Sequence, residues 1–287
     1  MTHVRPRNST STNTAHRRAS LSRTRPVKKA ASLIAHTQQA ASASNPYPMR
    51  INRYLAQQGY ATRKKADELI AAGKVLLNGT PAVLGDKVSE HDSVRVLFHA
   101  PRKGLMYLAY NKPRGTVTHG AQAGEVEILD HIKKRDPNIE VFPVGRLDKN
   151  SHGLIILTND GRIVEPMLSP ERYHEKEYRV RVNERLRADV AELLSRGVEI
   201  GGYLTKPCRA ERVDAHTLRI ILTEGKNHQV KRMCDALGYT VRDLQRTRIM
   251  HIRLMRLRPN TYRHLRAEER TELFASLGLS ERPHTLD

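Results

Sequence analysis

The stretch GRLDKNSHGLIILTNDG, residues 145–161, decides how this chain is read. Leu154 to Thr158 form a short apolar run of strand length and composition. Asn159-Asp160-Gly161 closes that strand with turn residues. On the other side Val144 is strand-like, so Arg146 and Asp148 fall just before the apolar strand, in a loop. A carboxylate between a strand and a glycine-containing turn is normally a loop residue. Its charge is then met by a neighbouring hydroxyl such as Ser151 or by backbone amides. Composition alone favours that plain reading of Asp148.

Outward from this stretch, residues 102–280 alternate short strands with a few helices. Leu105 to Tyr110, Glu177 to Val182 and Leu218 to Thr223 carry strand patterns. Leu186 to Ser195 and Val230 to Leu237 have helical spacing. The fold class expected is α+β with a mixed or antiparallel sheet. No G-x-G-x-x-G, phosphate-binding G-x-x-x-x-G-K or G-x-S-x-G motif occurs, so nucleotide cofactors and a Ser-His-Asp hydrolase have no support. The 14 His are scattered without H-E-x-x-H and read as surface or RNA-facing residues; no metal and no cofactor is expected.

The chain has 287 residues, enough for about two domains at roughly 150 residues each. Apolar residues make up 38%, and with no Trp the core must be largely aliphatic. Lys and Arg number 50 against 30 Asp and Glu, a net charge of +20. That balance disfavours an enzyme of acidic partners and favours a polyanion, either nucleic acid or an anionic membrane surface. The apolar runs are too short for a membrane-spanning helix, and no membrane partner is expected. Two cysteines, Cys208 and Cys234, support neither a disulfide framework nor a zinc site, and imply a reducing compartment.

The charge is uneven. Residues 1–48 hold basic side chains, Ser, Thr and Ala but no Asp or Glu, and read as a disordered basic extension. It is an RNA-binding arm, a tail without a role, or an organellar transit segment; cytoplasmic location is the expectation, with organellar import left open. Order is expected from Met49. Ile51, Tyr54 and Leu55 recur at helical spacing, and Gly59 closes that helix. Thr62 caps a second helix running to about Ala72, with Gly73 at its end. Arg63, Lys64 and Lys65 occupy its first turn, where cations oppose the helix dipole unless a phosphate offsets them. Val75-Leu76-Leu77 then runs into Asn78-Gly79, a hairpin signal, and a strand from Ser93 to Phe98 follows.

The segment RINRYLAQQGYATRKKADELIAAGKVLLNG resembles an S4 domain, a small RNA-binding module. The resemblance implies that its second helix and following turn grip structured RNA through Arg63, Lys64, Lys65 and Lys74. The longer motif at 145–161 resembles the G-R-L-D-x-x-S/T-x-G-L-L-x-L-T-N-D-G pattern of pseudouridine synthases, in the family of the small-subunit rRNA enzyme A and the large-subunit enzymes B, E and F. LAYNKPRGTV (108–117), HEKEYRV (174–180), LTEGKNHQVKRMCDALGY (222–239) and LQRTRIMHIRL (244–254) follow in the family's order. The wording leans toward the large-subunit enzyme F, although that subgroup's basic tail is C-terminal and the basic arm here is N-terminal.

The resemblance implies a division into 1–48, an S4-like domain at 49–101, a catalytic domain at 102–280 and a tail at 281–287. It implies an isomerase that turns uridine into pseudouridine in large-subunit rRNA, with a tRNA as an open second substrate, acting as a monomer. By this resemblance Asp148 is the nucleophile, at C1′ or C6, and Lys231 keeps it ionised. Tyr178 stacks on the flipped base and assists proton removal, and Leu222 packs against the base. Arg146 enters the space the base leaves. Asn111, Lys112, Arg114, Gln229 and Arg232 are expected along the RNA path. The alternative is a silent RNA-binding assembly factor on the same fold.

Overall fold

The computed structural model describes residues 47–58, 60–97 and 104–281. The basic extension up to residue 46, Gly59, Phe98 and the last six residues lie outside the described residues, and so do the expectations placed on them.

The first elements are β1 (Met49–Arg50), α1 (Ile51–Gln57) and α2 (Arg63–Ala71). They are followed by β2 (Val75–Leu77), β3 (Thr80–Pro81), β4 (Lys87–Val88) and β5 (Val94–Val96). Thr62 caps α2 by accepting from the Lys65 amide, as its sequence position predicts. Asn78 and Gly79 both take positive φ, the geometry of the tight turn that joins β2 to β3. Ile51, Leu55, Ala66, Ile70, Val75 and Val88 form one small aliphatic core between the helices and the strands.

The rest of the chain supplies β6 (Tyr107–Lys112), α3 (Ile128–Arg135), β7 (Phe142–Val144), β8 (His152–Thr158), α4 (Val164–Leu168), β9 (Lys176–Val182) and α5 (Val190–Ser195). After these come β10 (Arg209–Arg212), β11 (Thr217–Leu222), α6 (Gln229–Ala236), β12 (Val241–Ile249), β13 (Ile252–Arg253), β14 (Tyr262–His264) and α7 (Ala267–Leu277). A sheet of nine strands runs in the order β10-β11-β9-β12-β8-β6-β14, with β7 on β8 and β13 on β12. The β12–β8 pair is parallel and the remaining pairs are antiparallel, so the sheet is mixed, within the fold class expected.

The central strands explain the apolar run of the opening motif. Leu154 and Ile156 of β8 join one core, with α4 and α7, while Ile155 and Leu157 join another, under α3. A strand covered on both faces loses its alternation and reads as continuous apolar sequence. All four side chains are fully buried, each worth roughly 1.5–3 kcal/mol as an upper figure. One helix departs from the pattern. The spacing predicts a helix from Leu186, but α5 begins at Val190, and the Leu186 amide bonds the Ala215 carbonyl. Leu186 is still buried, so its apolar signal reported burial and not helix.

Gly153 lies directly beside Arg246 on the parallel neighbour, at φ +103°. A Cβ there would meet the Arg246 carbonyl oxygen at 2.3 Å, so only glycine lets β8 and β12 approach as they do. Gly153→Ala is therefore expected to cost about 3 kcal/mol or more, lowering the melting temperature by about 6–12 °C in a calorimetric scan. A change of only a degree or two would mean that this close approach is not a constraint.

Candidate active site

The loop between β7 and β8 carries Arg146, Leu147 and Asp148, and the N-terminus of α6 comes down onto it. Lys231 Nζ lies 3.1 Å from Asp148 Oδ2, and His228 Nδ1 lies 3.0 Å from the same oxygen. Ser151 donates its hydroxyl to that oxygen as well, at 3.3 Å. Oδ1 has no hydrogen bond among the described residues, so one carboxylate oxygen is held and the other is free. Asp148 is half-buried. Burial pushes its pKa up, but the Lys231 bond and charge, His228 and Ser151 outweigh burial and hold it below the ordinary aspartate value. The carboxylate is ionised at neutral pH.

The loop backbone is held from below. Lys112, at the end of β6, is fully buried and donates to the carbonyls of Pro113 at 3.1 Å, Lys149 at 3.1 Å and Ser151 at 2.7 Å. Thr118 donates to the Leu147 carbonyl at 2.7 Å and accepts from the Leu147 amide at 3.1 Å. Arg246 Nη1 reaches the Arg146 carbonyl at 3.4 Å. Carbonyls at 146, 147, 149 and 151 are thus all engaged, and Asp148 sits in the middle of a pinned segment.

Tyr178 lies on β9, opposite Ile220 of β11 and Arg246 of β12. It is largely buried and shares a core cluster with Leu147 and Leu222, which brings the aromatic ring, the Leu222 side chain and the Asp148 loop together. Arg146 is exposed and its side chain has no partner among the described residues. Arg63, Lys64, Lys65 and Lys74 are all exposed; Lys65 pairs with Glu68 at 2.8 Å. Arg114 is exposed and pairs with Asp243, and Arg232 is exposed and donates to the Ile200 carbonyl.

Three residues expected to face RNA do not reach the surface. Lys112 is the buried strut just described. Asn111, 4% exposed, gives its amide to the Leu257 carbonyl at 2.7 Å. Gln229, 3% exposed, donates to Glu224 at 2.6 Å and accepts from the Lys226 amide, closing the start of α6. Each is polar because it satisfies buried backbone or side-chain groups, a role that sequence cannot distinguish from ligand contact. Conversely, His228, which the sequence groups with the scattered surface histidines, belongs to the site. It takes a left-handed φ of +50° immediately before α6, a conformation that its residue type does not signal. Among the described residues no group of three or more His, Cys, Asp or Glu could hold a metal ion.

Comparison with known proteins agrees with this layout. Residues 106–236 match the RNA pseudouridylate synthase family and residues 49–94 match the S4 domain. The chain is 39% identical over 233 residues to the dual-specificity RNA pseudouridine synthase RluF of Escherichia coli, covering 79% of this chain and 78% of that protein. It is 36% identical over 234 residues to the uncharacterized RNA pseudouridine synthase YtzG of Bacillus subtilis, covering 77% and 96%. A crystal structure of a pseudouridylate synthase superposes with a TM-score of 0.59 at 28% identity, over 78% of this chain and 99% of that one. The chain belongs to the RNA pseudouridine synthase family, as a member that carries an S4 domain, and it is an RNA-modifying isomerase.

Burial lowers Lys112 from 10.5 to about 8, partly countered by Asp148. The unfolded chain therefore binds the extra proton between about pH 8 and 10.5, so Lys112 opposes folding below that window and ceases to do so as pH rises through it. Relative to Lys112→Met, the wild-type protein should gain stability between those pH values, by at most about 3 kcal/mol in denaturant titrations. A difference that stays flat across the window would show that Lys112 is not desolvated as described.

Proposed function

We propose that this synthase isomerises uridine in large-subunit ribosomal RNA, with Asp148 as the nucleophile. The observation that carries the proposal is the asymmetry of that carboxylate. Oδ2 is bound by Lys231, His228 and Ser151, while Oδ1 remains open on a loop pinned by four carbonyls. A nucleophile must be ionised and positioned, and this arrangement supplies both.

In this reading the uridine is flipped out of its RNA and its base packs between Tyr178 and Leu222. Oδ1 of Asp148 attacks C1′ of the ribose or C6 of the uracil. The bond from C1′ to N1 breaks, the uracil rotates, C5 bonds to C1′, and the bond to Asp148 breaks with its electron pair returning to the carboxylate. The proton leaves C5 with the help of Tyr178 and N1 regains one, so product and substrate are isomers. Lys231 stabilises the carboxylate before attack and again when it leaves. Arg146, exposed and unpaired, stacks in the gap left by the base, offsetting part of an extrusion cost of a few kcal/mol.

Residues 49–101 form the RNA-gripping domain, whose exposed Arg63, Lys64, Lys65 and Lys74 take phosphates, and residues 102–280 form the catalytic domain. Arg114 and Arg232, both exposed, add to the basic surface. A monomeric protein acting in the bacterial cytoplasm fits this reading. The basic segment 1–48 adds non-specific RNA affinity to it, and a tRNA is a second candidate substrate.

Tritium release from RNA labelled at uridine C5 tests the proposal, because isomerisation frees that hydrogen and binding does not. Wild-type protein should release tritium from large-subunit rRNA and not from small-subunit rRNA. Asp148→Asn should fall to background while keeping its RNA affinity. Turnover by Asp148→Asn would overturn the assigned mechanism, and release from small-subunit RNA alone would overturn the substrate.

A further inference from the structure

More than one cation acts on Asp148: Lys231 bonds it and Lys112 lies within reach of its charge. Beyond Lys231 and Lys112, two more share the face that carries Tyr178. Side chains alternate along a strand, so Lys176 and Tyr178 of β9 point the same way while Glu177 points the other. Lys176 stands opposite Leu222 of β11, and Tyr178 stands opposite Arg246 of β12. The acids of this segment are spent elsewhere: Glu177 accepts from Thr247 and Arg248, and Glu175 pairs with Arg209 and Arg248.

Neither cation has a counter-charge among the described residues. Lys176 is half-buried, and its ammonium makes one long contact, to the His174 carbonyl at 3.4 Å. Arg246 is 4% exposed. Its Nε donates to the Leu154 carbonyl at 2.7 Å and its Nη1 to the Arg146 carbonyl, but its enclosed Nη2 has no partner. Burial lowers the pKa of Lys176, and the charge of Arg246 lowers it further, so the two act on each other. An enclosed cation short of partners is costly to keep. A bound anion would remove that cost, and RNA brings a negative charge with every nucleotide. A neutral uracil carbonyl would not balance two cations.

We infer that Lys176, backed by Arg246, is an anion subsite that takes a phosphodiester flanking the uridine held against Tyr178. The inference rests on the reading of Asp148, Tyr178 and Leu222 as the target-nucleotide site. Lys176 is the group within reach of the phosphate. Arg246 supplies field from behind it and ties that phosphate's position to the Arg146 carbonyl and so to the Asp148 loop. Binding of the correct backbone geometry and placement of the nucleophile are thereby linked through one guanidinium.

The test is the salt dependence of binding to transcribed large-subunit rRNA. The logarithm of the affinity is plotted against the logarithm of salt concentration for wild type, Lys176→Met and Lys176→Arg, with folding of each checked by circular dichroism. Loss of one phosphate contact should reduce the slope of Lys176→Met by about 0.7–0.9, while Lys176→Arg keeps the wild-type slope. A side chain that only packs would change neither slope. An unchanged slope in folded Lys176→Met overturns the subsite. As a second measurement that alters no residue, phosphate ethylation of the transcript should block wild-type binding at a phosphate next to the isomerised uridine; absence of such a position also overturns it. Tritium release by the wild type reads the catalytic proposal separately, so failure of the one is not mistaken for failure of the other.

Discussion

The contact between Asp148 Oδ2 and Lys231, 3.1 Å long, is the one on which the proposed chemistry depends. A half-buried carboxylate would otherwise drift toward its neutral form, because burial penalises charge. Here the ammonium of Lys231, with His228 and Ser151 on the same oxygen, overcomes that penalty. Lysine supplies a compact charge and not a planar fork, so it can grip one oxygen and leave the other unoccupied. Much of the surrounding structure serves to keep the two groups in register. β6 delivers Lys112 beneath the loop, β8 and β12 approach at Gly153, and α6 starts where Lys231 faces the carboxylate.

This arrangement concentrates positive charge around a half-buried carboxylate, in a chain that is already strongly basic. The two levels of charge do different work. Exposed cations such as Arg63, Lys64 and Lys74 act through a solvent-screened field that favours any polyanion. Buried ones such as Lys112 and Arg246 are fixed by carbonyls and act at short range on named groups. The sheet separates the roles: Tyr178 on one face of β9 packs with Leu147 and Leu222, and Glu177 on the other pairs with Arg248.

The sequence disclosed the architecture well because its signals were local. The caps at Thr62, the turn at Asn78-Gly79 and the apolar run at 154–157 each depend on a few neighbouring residues. The pairing of Asp148 with Lys231 was legible only through a resemblance of motifs, since 82 residues of intervening chain separate them. What stayed hidden was the orientation of polar side chains. Asn111, Lys112 and Gln229 look like RNA ligands in a basic chain, yet distant residues near 257 and 151 turn the first two inward, and the local turn with Glu224 turns Gln229 inward. His228 was concealed for the opposite reason, because a left-handed backbone at a non-glycine residue swings it toward Asp148 in a way composition does not advertise.

Carbon-13 NMR titration of the aspartate carboxyls measures directly whether Lys231 holds Asp148 ionised, with Asp148→Asn identifying the resonance. A midpoint below the ordinary aspartate value of about 3.9 is expected in the wild-type protein, and a clear rise of that midpoint in Lys231→Met. A wild-type midpoint at or above the ordinary value, or one that does not move when Lys231 is replaced, would contradict this expectation.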